Sequence, residues 1–257
     1  LHAIMIYQEL LDDPESRKIK RTIFIGGKAA AGYEIAKKII RLIHCMARRI
    51  NNDKRIKDKL KIVFLENYNV SSAEVIIPAA ELSQQISMAG MEASGTGNMK
   101  LSINGALTIG TEDGANIEMR EGTTDKWWPF SFGSLAEEIE EKQRTQSYDP
   151  WNILSEHPKI ARAVEALRDQ TFSKYDAEHH AFLEIYASLV DGVCGSSADK
   201  YFLLQDLPSY YDTQKEVEDL YCDTSKWAEY AIQNVAGMGS FSSDVSIDTY
   251  AKNIWGL

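Results

Sequence analysis

Two β-rich runs, each followed by a helical pattern, constrain the fold of this chain more than any other feature of its sequence. The first run, residues 22–27 (TIFIGG), leads into residues 33–50, where apolar side chains recur at helical spacing. Residues 61–65 (KIVFL) repeat the strand signal, and residues 72–88 are predicted to form the next helix, running up to a glycine-rich loop. Strands that alternate with helices favour a parallel sheet, so the sequence predicts an α/β fold.

The chain changes character after a third predicted strand at residues 106–110 (ALTIG). An Asp-Gly pair in residues 111–116 (TEDGAN) marks a turn after this strand. Further along, the apolar pattern becomes mostly helical. We therefore expect an α/β part over residues 1–133 and a mainly helical part over residues 134–257, with the helices packed on the sheet.

Composition limits the classes of partner. Acidic side chains outnumber basic ones by 38 to 28 in 257 residues, for a formal net charge of −10. This balance argues against non-specific binding to nucleic acid and to anionic membranes, and no apolar run approaches the length of a membrane span. The three cysteines, Cys45, Cys194 and Cys222, are far apart and form no CxxC pair. The sequence therefore predicts no metal site and favours a reducing, cytoplasmic location.

Residues 92–100 (EASGTGNMK) form the first candidate site. Gly95 and Gly97 leave the backbone open, so that consecutive N–H groups can turn towards an anion such as a phosphate. Lys100, at the end of the loop, could then be the counter-ion of a phosphate or the amine of a Schiff base. The spacing fits neither the dinucleotide fingerprint GxGxxG nor the P-loop pattern GxxxxGK[ST]. A tight structural turn with a surface lysine is the alternative interpretation.

Two further segments stand at predicted strand ends, where ligands bind in α/β sheets. In residues 26–33 (GGKAAAGY), the glycines indicate either a binding turn or close backbone packing at a helix start, and Tyr33 belongs either to a cleft or to the core. Residues 66–70 (ENYNV) follow the second strand and allow the same two interpretations. The aromatic pair Trp127 and Trp128 is predicted to anchor a loop rather than to stack on a sugar.

A long and specific resemblance covers most of the chain. Residues 66–119, from ENYNVSSAEV through EASGTGNMK to GTEDGANIEM, resemble the pyridoxal-phosphate segment of the α-glucan phosphorylases of glycogen, starch and maltodextrin. The likeness extends to residues 21–33 (RTIFIGGKAAAGY) and 241–257 (FSSDVSIDTYAKNIWGL), and it is weakest over residues 123–178. It implies phosphorolysis of a terminal α-1,4-glucosidic bond, with retention of configuration, to give glucose 1-phosphate.

The resemblance also implies a cofactor, pyridoxal 5′-phosphate. Lys100 would carry it covalently and is the predicted catalytic residue, while Gly95, Thr96 and Gly97 would hold its phosphate. In this family the cofactor's phosphate relays a proton or stabilises charge beside the substrate phosphate. The covalent link to Lys100 is therefore expected to act as a tether, and the ring is not used as an electron sink.

Further positions match family contacts to the cofactor ring or to the sugar. Tyr68 and Val70 match positions beside the pyridoxal ring, and Asn69 stands where some members carry arginine. The predicted substrate-binding residues match contacts to the glucosyl unit or the mouth of the cleft, and they are Glu92, Ala93, Ser94, Gly95 and Tyr33.

The architecture implied by the resemblance is a glycosyltransferase B fold, with two Rossmann-like domains that face each other across a cleft. This chain matches the later part of the second domain. Because it opens at Leu1 within a helical pattern and without methionine, the amino-terminal half and a basic segment of KRxHEYK type are expected to belong to a longer protein. The implied partners are an α-1,4-glucan, inorganic phosphate, glucose 1-phosphate and that amino-terminal half, in a homodimeric parent enzyme.

Two other interpretations stay open. The chain could be a non-catalytic Rossmann-like fragment or binding module that holds no cofactor. It could also belong to a pyridoxal-phosphate enzyme that acts on amino acids, which would need an arginine for the substrate carboxylate. Residues 92–100 contain no arginine, and this argues against the second alternative. Even within the phosphorylase interpretation, the chain alone is expected to be inactive.

Overall fold

The computed structural model describes residues 1–193 and 195–257, which form four β-strands and twelve α-helices. The strands are β1 (Arg21–Gly26), β2 (Leu60–Leu65), β3 (Leu82–Gln85) and β4 (Leu107–Gly110). The helices are α1 (His2–Asp12), α2 (Glu34–Ile50), α3 (Val70–Ile76), α4 (Gly97–Ile103), α5 (Ala115–Thr123), α6 (Ala136–Thr145), α7 (Pro150–Glu156), α8 (Pro158–Glu165), α9 (Asp176–Val190), α10 (Leu203–Tyr221), α11 (Thr224–Gly237) and α12 (Ser243–Tyr250). Short 3₁₀ helices cover Lys54–Ile56, Ile77–Ala79, Asp125–Trp127 and Gly239–Phe241, and a π-helical turn covers Ala251–Trp255.

The chain forms two compact units, and the first combines Leu1–Asn69 with Gln146–Tyr211. In this unit β1 and β2 pair in parallel, and α2 packs against both β2 and α9. Helix α2 forms as predicted because its apolar residues, Leu42, Cys45, Met46 and Ile50, recur on one face and are buried. Helix α1 packs against α8 in the same unit.

The second unit combines Val70–Thr145 with Asp212–Leu257. Strands β3 and β4 pair in parallel, every residue of β4 is buried, and α11 packs on α4 and α5. A core cluster joins Ala115, Met119, Trp128 and Met238. Trp128 is 5% exposed within this cluster, so its predicted role as a loop anchor is confirmed.

The predicted α/β class with parallel strands is confirmed, and the three predicted strands correspond to β1, β2 and β4. The strands pair two by two, β1 with β2 and β3 with β4. All described strands precede residue 111, and the described elements after residue 134 are helical. The division into residues 1–133 and 134–257, and the finer Rossmann-like assignment, stay predictions.

The prediction of one helix over residues 72–88 is wrong. Helix α3 ends at Ile76, a 3₁₀ turn covers Ile77–Ala79, and β3 begins at Leu82. Pro78 causes the break, because proline has no backbone N–H to donate and its ring clashes with the preceding helical turn. The residues beyond it are free to extend, and they pair with β4 from Leu82 opposite Leu107 onward.

The structure describes two of the three cysteines and shows the length of each helix. Cys45 is buried and Cys222 is exposed, and both are free thiols, whereas Cys194 lies outside the described residues. Within the described part of the chain, no helix combines the length and the apolar character needed to cross a bilayer.

Candidate active site

The glycine-rich loop lies between β3 and α4, at the edge of the sheet where parallel strands end. Thr111, directly after β4, donates from its hydroxyl to the carbonyl oxygen of Ser87 at 2.8 Å, and its backbone N–H donates to Gln85 O at 3.1 Å. The segments that follow β3 and β4 are therefore tied together at one edge. In α/β proteins, this carboxyl edge of a parallel sheet is where ligands bind.

The loop presents backbone N–H groups that are open to a ligand. Gly95 adopts a φ of +77°, a left-handed conformation that side-chain-bearing residues rarely take, and Gly97 is the first residue of α4. Among the described residues, no acceptor meets the backbone N–H of Gly95, Thr96 or Gly97. A Cβ on Gly97 would find nothing within 4 Å. The loop thus offers consecutive donors to an anion, with open space in front of them.

Asp113 holds the start of this loop. Its carboxylate oxygen Oδ2 accepts hydrogen bonds from the backbone N–H of Glu92 at 2.8 Å and of Met91 at 3.2 Å. Next to it, Gly114 has a φ of +54°, and a Cβ there would lie 2.8 Å from the carbonyl oxygen of Ser94. The turn after β4 therefore fits against the glycine-rich loop only because Gly114 has no side chain.

Two buried asparagines connect the loop to this turn. Asn98 and Asn116 are 2% and 5% exposed, and the amide of Asn98 donates to Oδ1 of Asn116 at 3.0 Å. Asn116 in turn donates to the carbonyl oxygen of Thr111 at 3.0 Å, and Asn98 accepts from the N–H of Met99 at 2.9 Å. Buried, satisfied amide networks of this kind fix a backbone conformation. The loop is thus preorganised before any ligand binds.

Lys100 lies one turn into α4. Residues three and four apart share a helix face, so its side chain is on the same side as Gly97 and Thr96, and it leans towards the helix amino terminus, as helical side chains do. Lys100 is exposed, and within the described residues its ammonium group makes no hydrogen bond or ion pair. A free cation therefore accompanies the free N–H groups.

The predicted sugar-binding residues and the aromatic positions are placed as follows. Glu92, Ala93 and Ser94 are exposed on the same loop of the second unit. Val70, 76% exposed, begins α3 in that unit. The structure thus groups Glu92, Ala93, Ser94, Gly95, Thr96, Gly97 and Lys100 on one loop and the helix that follows it.

Tyr33 and Tyr68 belong to the first unit. The Tyr68 ring packs so closely that a Cβ on Gly26 would lie 3.2 Å from it, which supports close packing as the reason for that glycine. Tyr33 is 48% exposed, and its hydroxyl lies 3.5 Å from the hydroxyl of Tyr201. This hydrogen bond raises the pKa of Tyr33. Tyr33 is therefore a surface residue and not part of the core.

The sequence of this chain matches one protein family along its entire length. The family model described as carbohydrate phosphorylase matches residues 1–257. The chain belongs to the carbohydrate phosphorylase family. It is 45% identical to glycogen phosphorylase of Chlamydia pneumoniae over 255 residues, which is 99% of this chain and 30% of that protein.

Other relatives extend the comparison. The phosphorylase chain is 44% identical to glycogen phosphorylase of Synechocystis sp. over 257 residues, and 42% identical to the brain form of glycogen phosphorylase of Ovis aries over 256 residues. Both alignments cover 100% of this chain and 29% of the relative. The chain therefore spans just under a third of the length of the curated relatives it matches.

Reasoning from the sequence missed the residues that support the loop in this phosphorylase chain. Asp113, Gly114 and Asn116 belong to TEDGAN, which was interpreted only as a turn after a strand. The Asp-Gly pair was the available signal, but a turn signal does not show which other segment the turn contacts. Asn98 belongs to the glycine-rich stretch itself, but nothing in the sequence shows that its side chain is buried and supports the backbone.

Proposed function

We propose that this chain carries the cofactor-binding segment of a phosphorylase that cleaves terminal α-1,4-glucosidic bonds of a glucan with inorganic phosphate, with retention, to give glucose 1-phosphate. The observation that carries the proposal is the grouping of N–H donors at Gly95, Thr96 and Gly97 with the Lys100 ammonium, none of which has a partner among the described residues. Membership of the carbohydrate phosphorylase family supports the assignment.

The residues present fit pyridoxal 5′-phosphate. The anionic phosphate needs several donors without bulk in front of them, and the loop supplies these at Gly95, Thr96 and Gly97. The aldehyde needs an accessible amine, and exposed Lys100 supplies one on the same face of α4. When bound, the cofactor supplies a phosphate group that exchanges a proton with, or stabilises charge on, the substrate phosphate.

The chain's own residues then bind and orient. Lys100 would hold the cofactor covalently, and the loop N–H groups would bind its phosphate, because Asp113 and the Asn98–Asn116 pair fix the loop. The residues proposed to bind the hydroxyl groups of the terminal sugar lie on the same preorganised segment and are Glu92, Ala93, Ser94 and Gly95. Such preorganised donors stabilise developing charge without a reorganisation cost during the reaction.

The remaining positions are proposed from the family pattern. Tyr68 and Val70 would lie beside the cofactor ring, and Tyr33, whose exposed ring is available to a ligand, would lie at the mouth of the cleft. The proposed partners are an α-1,4-glucan, inorganic phosphate and glucose 1-phosphate. We further propose that the parent is a cytoplasmic homodimer that includes a larger amino-terminal region, which agrees with the 30% of a relative's length that this chain covers.

Reductive labelling tests the cofactor assignment. The protein is incubated with pyridoxal phosphate, reduced with borohydride to fix any link between lysine and the aldehyde, digested, and mapped by mass spectrometry. We expect the label on Lys100, with an absorbance band that Lys100→Gln removes. Lys126, an exposed lysine of the same unit whose ammonium lies 3.9 Å from the Trp127 ring centroid, is the internal control. A label spread equally over Lys100, Lys126 and other surface lysines would refute the site.

A further inference from the structure

A basic cavity of about 520 Å³ lies in the first unit, apart from the residues of the proposed reaction. It is bounded by the carboxyl end of α2 and by the segment that precedes α9. The described residues that line it include four cationic side chains, Arg48, Arg49, Arg55 and Lys174, and one carboxylate, Asp53. The local charge is therefore opposite in sign to the net charge of −10 of the whole chain.

The one carboxylate of the cavity is already neutralised. Asp53 accepts from Nε and Nη2 of Arg55 at 2.9 and 2.6 Å, and from the hydroxyl of Tyr7 at 2.7 Å. Hydrogen bonds from Arg55, which exceed the opposing effect of burial, hold the pKa of Asp53 well below its usual range. Asp53 therefore stays ionised and paired with Arg55, and it does not compensate the other cations of the cavity.

A second carboxylate positions the cavity wall without facing into the cavity. Glu178 is 2% exposed, and its oxygen Oε2 lies 3.2 Å from Nη2 of Arg48 and accepts from the backbone N–H of Lys174 at 2.7 Å. This carboxylate neutralises Arg48 and fixes the backbone at Lys174. The parts of the lining at Arg48 and at Lys174 are thus held in place by one buried group.

Two cations remain for a ligand. Arg49 donates from Nε to the hydroxyl of Tyr7 at 3.3 Å, and no described residue meets its two terminal nitrogens. The Lys174 ammonium lies 5.3 Å from the centroid of the Tyr175 ring and forms no ion pair with any described carboxylate. Ser173, which lines the same cavity, adds a hydroxyl group. A planar guanidinium fork, an ammonium and a hydroxyl that line one cavity match the donors that a phosphoryl group requires.

We propose that this cavity binds a small phosphoryl anion, with Arg49 and Lys174 as the charge-bearing ligands, Ser173 as a neutral donor, and Asp53 and Glu178 as the groups that position the walls. The ligand is either free phosphate or the phosphate of a small monoester, because both present the same tetrahedral oxygens. This site goes beyond the proposed catalytic function and uses none of its residues.

Two-dimensional ¹H–¹⁵N NMR of the full chain tests the proposal. Sodium phosphate, glycerol phosphate and sodium chloride of matched ionic strength are titrated while the Arg49 Nε–H and the backbone N–H of Lys174 are followed. We expect saturable shifts with the two phosphoryl anions and none with chloride. The anion that binds with the higher affinity shows whether the phosphoryl group comes from free phosphate or from a monoester. Shifts that fail to saturate, or that chloride reproduces, would overturn the proposal.

Variants make the test specific. A charge-assisted hydrogen bond contributes roughly 1.5–3 kcal/mol, which corresponds to about tenfold or more in affinity. Lys174→Gln and Arg49→Gln should therefore each weaken phosphate binding by about tenfold or more. Lys200→Gln is the matched control, because the Lys200 ammonium also lies over a tyrosine ring, 5.5 Å from the centroid of Tyr201, but does not line the cavity. Equal affinities of the Lys174 and Lys200 variants would contradict the assignment.

The same spectra separate this proposal from the catalytic one. The backbone N–H groups of Gly95 and Gly97 report phosphate at the proposed cofactor loop independently of the cavity signals. Loss of one response with retention of the other therefore shows which site has failed. Lys174 is exposed, so Lys174→Gln keeps the test decisive even if Arg49→Gln, which also removes a bond to Tyr7, does not fold.

Discussion

Single residues of the glycine-rich segment have separable roles, which the structure assigns by the space around each of them. The fold requires a residue without a side chain at Gly114, because a Cβ there would lie 2.8 Å from the carbonyl oxygen of Ser94 and the backbone φ is +54°. Gly97 has open space where a Cβ would be and no left-handed backbone requirement. The first glycine supports the loop, whereas the second leaves room for a ligand.

Alanine at these two positions should therefore give opposite results. Gly114→Ala is expected to lower the free energy of unfolding by about 1–3 kcal/mol through backbone strain and the close contact with Ser94 O. Gly97→Ala should change the free energy of unfolding by less than about 0.5 kcal/mol, because the position has open space for a methyl group and alanine is compatible with a helix. The same variant should reduce the labelling of Lys100 by pyridoxal phosphate. Urea unfolding and reductive labelling of both variants provide the check. Equal losses of stability would contradict the separation of roles.

Asp113 is expected to act on the loop through two backbone N–H groups. Asp113→Asn keeps the shape of the side chain but removes the charge that strengthens the hydrogen bonds from the N–H groups of Met91 and Glu92. We therefore expect the free energy of unfolding to fall by about 1–2 kcal/mol and the backbone N–H of Glu92 to exchange faster with solvent. Asp125→Asn is the control, because that carboxylate is 82% exposed in its pair with Arg120, and such pairs contribute little. Unchanged exchange at Glu92 would show that Asp113 does not hold the loop.

At the scale of elements, the pairing of α2 with α9 depends on a buried carboxylate. Glu178 of α9 meets Nη2 of Arg41 at 2.6 Å and of Arg48 at 3.2 Å, both on α2. Burial raises the pKa of Glu178, but the Lys174 N–H, Cys45 and Arg48 outweigh this effect and lower it from 4.5 to about 2. The folded state therefore holds the ionised form more strongly than the unfolded chain does.

This shift predicts the direction of a pH dependence. Since the pKa of Glu178 is lower in the folded state, its stabilising contribution is complete above the ordinary value of 4.5 and is lost as the pH falls towards about 2. Glu178→Gln should lower stability at pH 7 by roughly 1–3 kcal/mol and should flatten the loss between about pH 4.5 and 2. Urea unfolding at pH 7, 4.5 and 2.5 measures both effects.

Glu184 provides the matched control on the same helix. It also pairs with a cation of α2, Lys38, but its side chain is 52% exposed, so Glu184→Gln should change stability by less than about 1 kcal/mol and leave the acid profile unaltered. If the Glu178 and Glu184 variants showed the same acid profile as the wild type, the buried carboxylate would not be the titrating group that couples α2 to α9.

The elements also show how far sequence reasoning reaches. Periodicity predicted β1, α2, β2 and β4, because each is a run of apolar residues with its own spacing. It failed at β3, whose four residues, LSQQ, carry a mostly polar pattern and form a strand only because β4 lies beside them. The loop donors were predicted from glycines, but the bond between Asn98 and Asn116 joins residues 18 positions apart, and only tertiary structure shows it.

At the scale of the whole molecule, each compact unit is built from two separated stretches of the chain. In the first unit, Arg162 pairs with Asp12 and Lys159 pairs with Glu9 at 2.7 Å, which joins the early and later stretches. In the second unit, the buried Asn234 donates to the carbonyl oxygen of Trp127 at 2.7 Å. A cut near residue 146 would therefore fall between the two stretches of both units at once.

We expect that such a cut leaves the molecule assembled. A specific protease site can be inserted after the exposed Gln146, which follows α6. After cleavage, the two fragments should co-elute in native size-exclusion chromatography. The contacts between helices of the two fragments, α1–α8 and α2–α9 in one unit and α5–α11 in the other, do not depend on the severed peptide bond. The fragments should separate in urea and should reassemble when the urea is removed. The cut protein should have a lower thermal unfolding midpoint than the uncut insertion variant, because the cut increases the entropy of the unfolded chain. Separation of the fragments without denaturant would mean that the packing within each unit is too weak to hold its two stretches together, and the preorganised loop would then depend on chain continuity.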